Sequence, residues 1–139
     1  MQTGKVRFVL INFAFTIPSP SSKAAEAVRC AGLQGKLWEM HDLLLSKQTQ
    51  FPMDDLLARG RALGLDDPDY RGCLEVGRFE PDVKADKAIG IGAGVKSTPT
   101  LSLGVTDPGN PRLAVSTVIL GAKPYAEFKQ AIDKLLASL

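Results

Sequence analysis

Two cysteines and a single histidine are all that this chain of 139 residues offers for thiol chemistry or soft-metal ligation. Cys30 and Cys73 stand far apart, no C-x-x-C occurs, and one histidine cannot complete a metal site of standard ligand spacing. No metal and no cofactor is therefore expected. Long apolar runs are missing as well, since none approaches the ~20 residues of a membrane-spanning helix. Neither sign of charge is in excess, with 17 basic residues against 15 acidic ones, well interspersed. No basic stripe with interleaved aromatics is present, so nucleic-acid binding has nothing to rest on. What remains is ordinary for one globular domain with a real core: 45% hydrophobic and 23% charged residues.

The N-terminal "KVRFVLINFAF" sets basic residues ahead of a short apolar stretch, as a secretory leader does. Asn12 interrupts that stretch, no small-x-small cleavage site follows, and "TIPSP" leads straight into a helix. The β-formers Val6, Phe8, Val9, Leu10 and Ile11 point instead to a buried strand over residues 5–13.

Residues 20–93 read as four or five helices with little strand between them. Ser21 or Ser22 can cap "SSKAAEAVRCAGL", whose alanines form a face for close packing. "KLWEMHDLLLSKQ" carries two stripes, Leu37, Met40, Leu44 and Trp38, His41, Leu45. Trp38 reads as a core anchor and His41 as a packing or surface residue. Asp54 is the expected cap of the next helix and Gly64 its stop. Asp67 and Pro68 open another, and Pro81 a fifth that frays into glycines. "TPTLSLGV" and "LAVSTVIL" then read as strands around the turn "TDPGNPR", and Pro124 opens a final amphipathic helix.

"GIGAGVKSTPT" invites a phosphate-loop reading, which fails. Val95 stands where a glycine must precede the Lys-Ser, and the segment leaves a helix to enter a strand, the reverse of the required order. A dinucleotide fingerprint fails for want of its third glycine. Cys30 and Cys73 lie on different predicted helices and could meet; as residues alone they fit two buried free thiols equally well.

The stretches "AAEAVRCAGLQGKLWEMHDLLLSKQ", "LGLDDPDYRGCLEVG" and "GVKSTPTL" together resemble the DsbA-like thioredoxin-fold thiol-disulfide oxidoreductases, from about Gly4 to the C-terminus. The resemblance implies an α/β, thioredoxin-like fold with an all-helical insertion. Residues 1–19 and 94–139 would form the sheet and C-terminal helix, and residues 20–93 the insertion. It implies a cis Thr98–Pro99 bond in a substrate-binding loop, and a structural disulfide between Cys30 and Cys73. It further implies protein or peptide thiols as partners and a mostly exported setting. The family's first strand and its C-x-x-C helix, which carries the low-pKa nucleophile, are absent here. No catalytic residue is therefore expected. The absent strand would leave two open edges in mid-sheet, to be met by truncation of a longer protein, by closure of the two strands, or by a homodimer exchanging strands. Two other readings stand beside this one. One is a non-enzymatic binding module that uses an open sheet edge. The other is a kappa-type glutathione-using enzyme, which shares the helical insertion but whose usual catalytic serine would also lie in the absent segment.

Overall fold

The computed structural model describes residues 4–107 and 109–139, with backbone alone at 111 and 112. Its elements run α1 (Pro20–Gly32), α2 (Leu37–Ser46), α3 (Met53–Ala62), α4 (Asp67–Glu75), α5 (Glu80–Gly92), β1 (Thr100–Asp107), β2 (Asn110–Leu120) and α6 (Tyr125–Leu136). Two compact units divide between Ala93 and Gly94.

In the first unit α1 is the hub, touching α2, α3, α4 and α5. Its alanines allow that approach: Ala24, Ala27 and Ala31 are buried with Val28. The helix starts earlier than its serines suggest. Ser19 is the cap, in a reciprocal capping box with Ser22, because Pro20 fits the first helical position, where no N–H is needed. A one-residue shift in the same direction applies at α4, capped by Asp66 rather than Asp67. Asp54 caps nothing; it sits in the first turn of α3, behind Pro52. Gly64 does stop α3: at φ +72° its N–H reaches the Arg61 carbonyl while that of Leu65 reaches Gly60.

Met40, Leu44, Leu56, Leu57, Tyr70 and Leu74 fill the core between these helices. Gly60 lets the Tyr70 ring in, since a Cβ there would lie 2.5 Å from the ring. Arg59 is buried yet fully used. It donates to the Leu43 and Lys47 carbonyls at the end of α2 and to Asp55 at 3.0 Å. Only the Met40–Leu44 stripe of α2 is buried. Trp38, expected in the core, is 45% exposed, because the helix has a single covered face and Met40 and Leu44 occupy it.

The expected strand at 5–13 is not formed. Residues 6–14 have no strand pairing, because the helices beside them offer side chains and no backbone ladder. The sheet among the described residues has two strands, in the second unit. β1 pairs antiparallel with β2, Thr100 opposite Leu120 and Leu103 opposite Thr117, with a bulge after Leu103. α6 lies against β1 through the half-buried Phe128, Ile132, Leu135 and Leu136.

Candidate functional site

The loop that enters β1 follows from its residues. α5 runs out into Gly94, at φ +75°, and the chain reaches Thr98–Pro99 through an exposed Lys96–Ser97. The Thr98–Pro99 peptide is cis. Pro99 has no N–H, and its carbonyl accepts the Gly121 amide at 2.8 Å. Thr100 turns its hydroxyl back to the Ser97 carbonyl at 2.6 Å. The groups on either side of Thr98 are thus tied down. Thr98 itself is exposed, and among the described residues its backbone N–H and carbonyl have no partner. Such a residue can present one donor and one acceptor to a polypeptide lying alongside. Gly121 was not singled out from sequence for this role, although a glycine directly after a β-rich run is the kind of signal that marks it, and its φ is +77°.

The two sulfurs lie in the first unit. Cys30 on α1 and Cys73 on α4 are bonded, with Cα atoms 6.0 Å apart, and no free cysteine remains. Both are buried, at 1% and 6% exposure, so neither sulfur is open to an attacking thiolate. Among the described residues no cluster of His, Cys, Asp and Glu could hold a metal ion. His41 rests edge-on against Trp38 and beside Asp42, 3.0 Å away. None of the resolved shifts in acidity belongs to a residue of the loop. A hydrogen bond from Thr49, then the Arg59 charge, holds Asp55 below the usual carboxylate range against the opposing effect of burial. Burial pushes the Tyr70 phenol up, with Arg59 opposing.

A family model described as thioredoxin matches residues 1–134. The chain belongs to the thioredoxin family. The chain is 38% identical over 100 residues to the Na(+)/H(+) antiporter NhaA 3 of Salinispora tropica. It is 36% identical over 96 residues to the Na(+)/H(+) antiporter NhaA 1 of Salinispora arenicola. Each match takes in 68% of this chain and 15% of the antiporter, so the chain spans a small part of the curated relatives it matches. No solved structure matches. A thioredoxin-family domain, here of helices and a small two-stranded sheet, suggests thiol-disulfide oxidoreductase-like function.

Proposed function

We propose that this is a DsbA-like member of the thioredoxin family which binds polypeptide at Thr98–Pro99 and performs no dithiol exchange of its own. One observation carries the reading: the chain's two cysteines are bonded to each other inside a core. Exchange requires a thiolate to attack and a second thiol to resolve the mixed disulfide, and this chain has neither free. The Cys30–Cys73 bond then has a structural role, which fits an oxidising compartment. Residues 20–93 serve as the helical insertion of a thioredoxin fold.

Two measurements test the reading. The purified chain, unfolded without reductant, should show no titratable thiol and should reduce insulin no faster than buffer. Addition of an extended, cysteine-free peptide should shift the Thr98 amide resonance. Turnover like that of a C-x-x-C enzyme would end the redox claim, and an unmoved Thr98 amide would end the binding claim.

A second reading rests on the antiporter matches, each to a small part of a longer protein. The chain would then act as a module carried beside a transport domain. An immunoblot of source cells distinguishes the two. A membrane-associated band several times larger than 14.9 kDa supports the module, and a band at 14.9 kDa opposes it.

A further inference from the structure

The Thr98–Pro99 loop lies wholly in the second unit, and so do the charges nearest to it along the chain. Lys96 stands two residues ahead of Thr98. Lys123 stands two residues beyond Gly121, whose amide is bonded to the Pro99 carbonyl. Consecutive Cα atoms are ~3.8 Å apart, so the backbone of Lys96 is within ~8 Å of Thr98 and that of Lys123 within ~8 Å of Gly121. Exposed charges are still felt over such a span, because the Debye length is ~10 Å at 0.1 M salt.

Nothing nearby in the unit neutralises the two lysines. Both are exposed, and neither has an ion-pair partner among the described residues. Residues 88–95, which lead into the loop, carry no charge, and Ser97, Thr98 and Thr100 are polar but neutral. Asp133 is held by Lys129, and Asp107 ends β1 at the far side from the loop, where it accepts the Gly109 amide. Glu127 is closer in the chain, in the first turn of α6, yet it pairs with neither lysine. A polypeptide laid along the free N–H and carbonyl of Thr98 therefore meets two unpaired cations against one acid.

Resting on the reading of Thr98–Pro99 as a polypeptide site, we infer that Lys96 and Lys123 make it selective for acidic segments, with Asp or Glu beside the residue that pairs with Thr98. The backbone of Thr98 holds any extended chain alike, since main-chain hydrogen bonds carry no side-chain information. The two ammonium groups supply the discrimination, by drawing acidic segments in faster and repelling basic ones.

The test uses the full chain and labelled, cysteine-free peptides of about ten residues, a usual strand length. They alternate valine and threonine and differ at two central positions, which are both glutamate, both glutamine or both lysine. Binding is followed by fluorescence anisotropy and by the Thr98 amide resonance. At ~0.01 M salt the glutamate peptide should bind about threefold or more tightly than the glutamine peptide, and the lysine peptide weakest of all. At ~1 M salt, where the Debye length falls to ~3 Å, their affinities should converge. The double variant Lys96→Glu, Lys123→Glu should prefer the lysine peptide, a reversal that a misfolded chain could not produce. Equal binding of all the peptides at low salt, each shifting the Thr98 amide, would overturn the charge selection and leave the polypeptide site standing. A preference for glutamate that persists in the double variant would also overturn it, because the charge would then be read elsewhere. A Thr98 amide that no peptide moves would end both.

Discussion

Tyr70 shows how far a single residue can be pushed by its surroundings. It is 1% exposed, its ring lies against Gly60, and its hydroxyl has no partner among the described residues. An unpaired buried hydroxyl costs free energy that an apolar replacement of the same shape avoids. Tyr70→Phe should therefore be neutral or stabilising by up to about 1 kcal/mol in urea unfolding. A clear loss of stability would reveal a partner for the hydroxyl. Asp55 makes a second prediction, in pH. Thr49, and after it Arg59, lowers its pKa on folding, so the folded chain binds that proton more weakly than the unfolded one. The stabilisation is full above the ordinary value of 3.8 and is lost as pH falls through the lower folded value. Asp55→Asn should be less stable than the parent at neutral pH, with the gap closing in acid below about 3.8. A gap that stays constant with pH would remove the carboxylate from the account.

Among the elements, α1 and α4 are joined most firmly, because the Cys30–Cys73 bond closes a separation of 43 residues. In the chain-entropy picture such a loop contributes about 2–4 kcal/mol. The variant with both cysteines changed to alanine should unfold at lower temperature, and reductant should lower the parent's midpoint towards it. Equal midpoints for parent and variant would show the bond to be energetically idle. The meeting of the two sulfurs was visible in sequence only as a possibility, since each cysteine occupies a helix whose facing is set by packing. Caps show the same limit. Pro20 and Pro68 mark helix starts plainly, but which nearby residue caps the helix depends on local backbone angles: Ser19 lies two positions before Ser21, and Asp66 one before Asp67.

At the scale of the whole molecule, the two units bury very different amounts. The first holds the disulfide-centred core, whereas α6 has no buried residue and the sheet it lies against has two strands. A two-stranded sheet is marginal alone. Amide exchange should therefore be slowest in α1 and α4 and markedly faster in β1 and β2. Strand amides as slow as those of α1 would mean that the second unit is held by contacts beyond its own sheet and helix. Val115, Val118 and Leu120 remain exposed along β2, which leaves apolar surface for such contacts.

The sequence by itself placed the helix ends to within a few residues, because proline, glycine and capping residues act through their immediate neighbours. It also excluded a C-x-x-C and a clustered metal site, because the residues are absent. Its apolar spacing placed β1 and β2, and its resemblance pointed to the thioredoxin family. Tertiary structure decided the rest. Trp38 lies at the surface because Met40 and Leu44 take the covered face of α2. Residues 5–13 have the side chains of a strand without its ladder, since a strand is made by its partner. Cys30 and Cys73 are bonded because α1 and α4 bring their Cα atoms to 6.0 Å, a distance that no local pattern specifies.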